Sequence, residues 1–508
     1  MIFVKRPGTQ APTVNSDLLA VKYSSPLTRA YDNSVNESQT PLCVDCDGTL
    51  LRTDMLHEAF FLLLRQSPGS LPRLPIWLLR GKAHLKQQLA AQVRLDVGSL
   101  PVNQDVLALI HAARREGRRV VLATASPRTW ADAVARHLDV FDEVFASDGT
   151  TNLSGAKKAE RLGERFGDKQ FDYVGNDRAD LPVWGRSAGA FVVSSSPALA
   201  RQAARVTEVR QIIEPNNATL LTYLRALRLH QWLKNLLVWV PLAAAHQLES
   251  IQGLTQGLIA FLAFSLCASA VYVLNDLLDL EADRAHVRKR KRAFASGDIP
   301  IWRGVAMIPA LLAGSLALAL QLPLLFLGVL GLYFAMTVAY SLRLKQQVIV
   351  DVLLLAALYT MRIIAGAAAT QTPASFWMLA FSIFIFLSLA ALKRYSELLV
   401  TLKQNRQEAP GRGYLVNDLP VLMAIGVSAG MAAVMVLALY VNAPESTALY
   451  EHKLWLWLLP PAFLYWVIRI WLKAHRGQVD DDPVVFTARD WQSTAIGVLV
   501  LGLVWLAR

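Results

Sequence analysis

Long apolar runs dominate the chain from Trp232 onward, and they restrict its fold more than any other feature. A bilayer core needs about 20 apolar residues per helix. Nine stretches approach that length: about 232–248, 252–274, 302–320, 322–341, 350–369, 375–392, 418–440, 454–472 and 491–507. Only "LQLPL" separates the third from the fourth, so eight spans is the alternative count. Before about residue 220 the chain reads like a soluble α/β protein. At 508 residues it exceeds one compact domain. A soluble domain followed by a membrane domain is the organisation expected.

Charge orients the spans. A net charge of +12 suits nucleic acid, anionic substrates or a membrane surface. In a membrane protein, cytoplasmic loops absorb most such charge. The loop after the second span carries Arg284, Arg288, Lys289, Arg290, Lys291 and Arg292. Alternate later loops hold Arg343 and Lys345, then Lys393, Arg394, Lys403, Arg406 and Arg412, then Lys473 and Arg476. The opposite loops hold almost no Lys or Arg, Lys453 excepted. The positive-inside rule therefore places the N-terminus and the charged loops in the cytoplasm. The first residues lack the basic-then-apolar pattern of an export signal. Residues 1–40, polar with scattered Pro, Ser and Asn, read as a flexible tail. Cys43, Cys46 and Cys267 are too few for a disulfide framework, and the single CxxC lacks the second half of a zinc pattern. Lipid and anionic small molecules are the partners expected, with no nucleic acid.

Positive-inside explains bases but not acids at the end of a span. In "LNDLLDLEADRAHVRKRKRAFASGDI", Asp276, Asp279 and Asp283 are spaced three and four apart, which stacks them on one helix face. Clustered carboxylates repel unless a cation joins them, and Mg²⁺ with a bound phosphate is the natural solution. Acids at the membrane edge read as functional. The competing reading is a solvated helix end with internal salt bridges.

"NDLLDLEAD" resembles the first aspartate motif, NDxxDxxxD, of the UbiA-type intramembrane prenyltransferase superfamily, over about residues 222–508. That resemblance implies a bundle of about nine helices that binds a diphosphate through Mg²⁺ at the cytoplasmic face. Asn275, Asp276, Asp279 and Asp283 would be its metal-holding residues. A narrower likeness lies in "RLHQWLKNLLVWVPLAA", "DRAHVRKRKRAFASG", "YSLRLKQQVIVDVLLLAALYTMRIIAGA" and "LAALKRYSELL". These resemble the polyprenyl-phosphate phosphoribosyltransferase branch, which moves phosphoribose from phosphoribosyl diphosphate to a polyprenyl phosphate. The second motif of the aromatic-prenylating branch is DxxxD; here Asp351 is followed by Leu355, which favours the phosphoribosyl branch and leaves the role of Asp351 open. In the branch's HPxKxxRP pattern, Val287 and Ala293 replace both prolines while His286, Lys289 and Arg292 remain. Phosphoribosyl diphosphate carries phosphate at both ends of its sugar. Lys234, Lys289, Arg292, Tyr340, Lys345, Arg362, Lys393 and Arg394 are the candidates to neutralise it, Arg as a fork and Lys as a point charge.

The soluble half carries a second signal. In "PLCVDCDGTLLRTD" an apolar strand ends at Asp45-x-Asp47-Gly48-Thr49. Residues two apart on an extended segment face the same way, so the two carboxylates suit a nucleophile and a proton donor. Gly48 permits the turn that follows. "RRVVLATAS" reads as a strand ending in Thr124, "NLSGAKKAERL" offers Lys157 and Lys158 at a helix start, and "FDYVGNDRADLPVW" reads as a strand ending in Asn176, Asp177 and Asp180. Strands alternating with helices imply a parallel sheet with its site at the strand C-terminal ends.

The set resembles the haloacid dehalogenase-like phosphatase superfamily over about residues 40–200. The resemblance implies that Asp45 attacks phosphorus, Asp47 protonates the leaving alcohol and then activates water, and Thr124 and Lys158 hold the phosphoryl oxygens. Mg²⁺ would sit among Asp45, Asp47 and the last motif. That motif is usually GDxxxD. Here it reads Gly175-Asn176-Asp177-Arg178-Ala179-Asp180, so metal binding passes to Asp177 or is weaker.

The expected fold is an α/β Rossmann-like phosphatase domain with a helical cap, plus an all-α polytopic membrane bundle. Its parts are a tail (1–40), the phosphatase domain (41–200, cap 56–100), a linker (201–221) and the transferase domain (222–508). The expected function is bifunctional, in a bacterial inner membrane with both sites cytoplasmic. Phosphoribose is transferred to polyprenyl phosphate, and the 5-phosphate is then removed. The alternatives are prenyl transfer from a prenyl diphosphate, or a membrane scaffold carrying a degenerate phosphatase.

Overall fold

The computed structural model describes residues 40–215, 218–408, 412–479 and 483–508. The tail expected over 1–40 lies outside them except for its last residue.

Six parallel strands form the sheet of the soluble half: β1 (Leu42–Val44), β2 (Val120–Pro127), β3 (Glu143–Ser147), β4 (Asp172–Gly175), β5 (Gly189–Val193) and β6 (Glu208–Ile213), in the order β3-β2-β1-β4-β5-β6. β1 lies at the middle and is fully buried. That burial explains its unbroken apolar run, since a parallel strand is covered by helices on both faces. The order reverses beside β1, so a crevice opens at its C-terminal end. Residues 208–213 were expected in a linker. They pair with β5 as the edge strand instead, and Ile213 packs into the main core.

Between β1 and β2 stands the cap, which contains helix α1 (Met55–Gln66) and two shorter helices, Leu74–Leu79 and Lys82–Gln92. Asp54 caps α1 by accepting from Leu56 N. Helix α2 (Ala156–Phe166) precedes β4.

The second half is helical: α3 (Ile251–Leu278), α4 (Ile301–Ala319), α5 (Leu324–Leu342), α6 (Val350–Thr370), α7 (Phe376–Lys403), α8 (Leu419–Val441), α9 (Leu459–His475) and α10 (Trp491–Ala507). Pro323 starts α5 as a helix separate from α4. Among the described residues seven helices are long and apolar enough to cross a membrane, or eight if α10 and the short helix Pro483–Arg489, bent 81° apart, count as one span. The expected first span, 232–248, is not a single helix. It is a 3₁₀ stretch, Leu229–Trp239, followed by the short helix Val240–Ala244. Its polar side chains account for this. Trp232 donates to Ser269 Oγ (3.0 Å) and Asn235 to Ser265 Oγ (2.9 Å), tying the segment to α3. Irregular backbone at membrane depth is tolerated where protein surrounds it.

The halves are welded through α1. Phe61 packs with Leu277, Leu278 and Leu280 in one apolar cluster. Arg284 donates two hydrogen bonds to Glu58, at 2.6 and 3.1 Å, with both side chains only 5% exposed. Arg52 pairs with Asp298 at 2.8 Å. Gly297 has φ +73°, and a Cβ there would stand 2.8 Å from the Arg52 Cβ, so the conformation and the close approach both require glycine.

Candidate functional site

In the soluble half the site is assembled at the C-terminal ends of β1, β2 and β4. Asp45 follows β1 directly, and Lys158, two residues into α2, brings Nζ to 2.7 Å from its Oδ1. Lys157 is exposed. Lys158 also donates to Tyr173 Oη (2.8 Å), and Tyr173 donates to Asp180 (3.0 Å). A buried chain of one ammonium, one phenol and two carboxylates results. Burial raises Asp45 above the usual carboxylate range, against the pull of Lys158. Burial, then the Asp45 charge, pushes Asp180 up to about 6. Burial alone would lower Lys158, but the surrounding carboxylates, Asp45 foremost, outweigh it and hold the ammonium above its ordinary range.

Asp47 faces the same pocket. It accepts from Met55 N (2.9 Å) and Ser126 Oγ (2.6 Å). Burial pushes its carboxyl up to about 6, with the Asp54 charge adding to the effect. A carboxyl near that value can hold a proton and release it close to neutrality. Thr124 is buried at the same sheet edge and accepts from Ser126 N at 3.0 Å. Lys86, from the cap, donates to Ala125 O at 2.8 Å and faces Asp47.

The last motif is divided. Asn176 lies over the catalytic turn: a Cβ on Gly48 would meet its Nδ2 at 2.3 Å. Asp177 is exposed and accepts from Arg178 N, so the structure does not bring it to the cluster. The reason is local. Asp177 caps the turn Arg178–Asp180, and Asp180 accepts from Asn176 N and Asp177 N, which folds Asp180 inward and Asp177 outward. Of that motif, Asn176 is the residue whose side chain reaches the turn after Asp45.

In the helical half the predicted residues form three clusters. The first is the aspartate segment at the end of α3. Asp276 is bound by Arg228 and by Arg292 (3.2 Å). Arg292 also reaches Asp283 (2.6 Å), and Lys289 adds its charge there. Lys345 donates to both oxygens of Asp279 at 3.1 Å. Asn275 Oδ1 is buried with no hydrogen-bond partner, an acceptor suited to a hard cation or its water. Among the described residues no three His, Cys, Asp or Glu side chains form a ready cage for a metal ion. Mg²⁺ commonly uses one or two carboxylates plus substrate phosphates, so the residues fit that ion in company with its substrate.

The second cluster surrounds Asp351, which is fully buried. Arg394 clasps it through two nitrogens, Tyr340 donates to it at 2.8 Å, and Arg412 stands 3.5 Å away. Arg394 also binds Glu397. The third cluster is aromatic. Arg362 donates to Asn235 Oδ1 (2.9 Å) and Tyr333 Oη (3.2 Å) and lies over Phe264, Tyr333 and Tyr359 at 5.2–5.4 Å. Lys234 approaches the Tyr359 ring at 5.6 Å. Lys393 is half-buried on α7, beside Arg394. Sequence reasoning missed Ser126, Tyr173, Lys86, Arg228 and Glu397. Ser126, Lys86 and Arg228 act on partners far along the chain; Tyr173 and Glu397 lie inside stretches already read, where spacing does not mark them.

These features define a two-domain phosphate-handling membrane protein, and the chain belongs to the UbiA prenyltransferase family, whose pattern matches residues 236–493. Residues 42–184 match the haloacid dehalogenase-like hydrolases. Among individual relatives, the uncharacterized protein y4nM of Sinorhizobium fredii is 36% identical over 95% of this chain and 94% of its own. Nodulation protein NoeC of Azorhizobium caulinodans is 36% identical over 56% of this chain and 93% of its own. Decaprenyl-phosphate phosphoribosyltransferase of Mycobacterium tuberculosis is 41% identical over 34% of this chain and 59% of its own.

Proposed function

We propose that the protein is bifunctional, transferring 5-phosphoribose from phosphoribosyl diphosphate to a polyprenyl phosphate and then removing the 5-phosphate. The observation that carries the reading is the state of Asp351. Arg394, Tyr340 and Arg412 hold its carboxylate, and Leu355 occupies the place of the partner acid that a second motif for a metal-bound prenyl diphosphate would need. The likeness to a phosphoribosyltransferase and the fused hydrolase domain support the same choice.

In the transferase site Asp276, Asp279, Asp283 and Asn275 would hold Mg²⁺. The ion would supply charge neutralisation for the departing diphosphate. Arg228, Arg292 and Lys345, now paired with those acids, would turn to the phosphates. A lipid phosphate oxygen attacks C1 of the ribose as its bond to diphosphate breaks. In the phosphatase site Asp45 attacks the 5-phosphate, Asp47 gives its proton to the leaving 5-hydroxyl, and Lys158 steadies the phosphoryl oxygens. Asp47 then takes a proton from the water that frees Asp45. Asp45 and Asn176 would hold Mg²⁺ there. Both sites are assigned to the cytoplasmic face of a bacterial inner membrane, following the charged loops.

The test is mass spectrometry of lipid formed by the purified chain with Mg²⁺, phosphoribosyl diphosphate and polyprenyl phosphate. Lipid-linked ribose is expected, and Asp45→Asn should stop at the phosphorylated lipid. Prenylation of an aromatic acceptor with no lipid-linked pentose would sink the reading.

A further inference from the structure

Asp279 is met from two sides, and one of them belongs to the other domain. Lys345 binds it from the loop after α5. Arg65, in the last turn of α1, brings Nη1 to 3.3 Å from its Oδ1. Glu58, Phe61 and Arg65 recur at helical spacing, so one stripe of α1 faces the membrane half. Along that stripe the contacts differ in kind. Glu58 and Arg284 are 5% exposed and 2.6 Å apart, a tight docking pair. Arg65 is 27% exposed and its contact is longer than the usual 2.7–2.9 Å of a charge-assisted bond.

The charges in the aspartate segment point the same way. Asp276, Asp279 and Asp283 meet Arg228, Arg292 and Lys345 from their own domain. Arg65 is a further cation, delivered from the phosphatase side to an acid that already has a partner.

We propose that Arg65 is a substrate-binding residue of the membrane site, so that the phosphatase domain completes the pocket for the donor's diphosphate. This rests on the transferase reading above only in taking a diphosphate-bearing donor. A guanidinium fork suits bidentate contact with phosphate oxygens. As Asp279 turns to a cation-bound diphosphate, Arg65 exchanges the carboxylate for phosphate.

The experiment measures the affinity of the full chain in lipid nanodiscs for inorganic diphosphate with Mg²⁺, in an Asp45→Asn background that silences phosphatase turnover. Asp279→Ala identifies the signal from the membrane site. Arg65→Ala should weaken that signal about tenfold, the scale of one hydrogen bond between charged groups. Arg65→Lys should recover part of it. Arg65→Ala should leave the resistance to proteolysis between the domains unchanged, because Glu58 and Arg284 still hold the joint. An Arg65→Ala affinity within twofold of its parent overturns the proposal. So does faster proteolysis between the domains in Arg65→Ala, which would make Arg65 a docking residue only. Because the probe is diphosphate alone, a chain that makes no lipid-linked pentose but loses diphosphate with Arg65→Ala would reject the phosphoribosyl reading and uphold this one.

Discussion

The two sites handle the same chemical group by opposite means. In the soluble domain, Asp45, Lys158 and Asp180 are held by strand ends and the start of a helix, and the acids are raised by burial. In the membrane domain Asp276, Asp279 and Asp283 are each clasped by a base on a long side chain. A parallel sheet fixes backbone positions at its C-terminal edge, so short side chains can be aimed and left partly uncompensated. A helix end at a membrane has no such frame. There an unpaired charge is costly, so acids are discharged by local bases until a substrate takes their place. The first site is set before substrate arrives; the second exchanges partners when it does.

The sharpest way to break that comparison is Lys158→Met. If the soluble site depends on fixed charge, hydrolysis of a generic phosphate ester should fall by about 10²–10³-fold, the scale of losing one preorganised stabilising group. Lipid-linked pentose should still form, in phosphorylated form. Equal loss of both activities would mean that the sites are not separable.

Glu58→Ala probes the joint between them. It strands Arg284 in a buried position and should cost about 3–5 kcal/mol, read as a lower unfolding temperature and faster proteolysis between the domains. Replacing both partners with Met should restore most of that loss. A single variant as stable as the parent would show that the joint is looser than its burial implies.

Asn176→Asp would sharpen the comparison by adding the missing acid beside Asp45. The Mg²⁺ concentration for half-maximal phosphatase activity should drop by about tenfold, equivalent to about 1.4 kcal/mol. No change would move the cation away from Asn176.

The smallest effect is in pH. Asp47 and Asp180 are both raised to about 6, so the folded chain retains protons that the unfolded chain has released. The stability tied to them is complete below about pH 4, the ordinary carboxylate value, and is lost as pH rises through about 6. Without Mg²⁺, the wild-type chain should therefore gain less stability than Asp47→Asn on going from pH 5 to pH 7. Parallel pH profiles for the two would refute the raised Asp47.

Residue by residue, what could be read in advance was what lies within one segment. Asp45 and Asp47 share a strand end, because a period of 2.0 makes neighbours visible in the chain itself. Asp276, Asp279 and Asp283 were expected on one helix face, but α3 ends at Leu278 and a short helix restarts at Leu280, so Asp279 sits in the break and meets Lys345 while Asp276 and Asp283 share Arg292. The family resemblance points to Lys158 rather than Lys157, and Lys158 is the one turned toward Asp45. The misreadings came where long-range contacts overrode local pattern. Residues 208–213 resembled a linker until β5 offered them an edge. The 232–248 run looked like a span, but α3 supplied serine partners that hold Trp232 and Asn235 in irregular backbone. Asp177 looked like a replacement ligand until Asp180 drew the turn inward.

The amino-acid order by itself determined a soluble α/β domain ahead of an apolar helical bundle, the two phosphate-handling motifs, and the acids and bases that compose them. Those are properties of periodicity, apolar length and residue chemistry within short windows. Tertiary structure alone decided which base meets which acid: Arg394 with Asp351, Arg284 with Glu58, Arg65 with Asp279. Charges carry no address along the chain. A buried carboxylate takes whichever cation the packed fold sets beside it, and here one of those cations comes from the other domain.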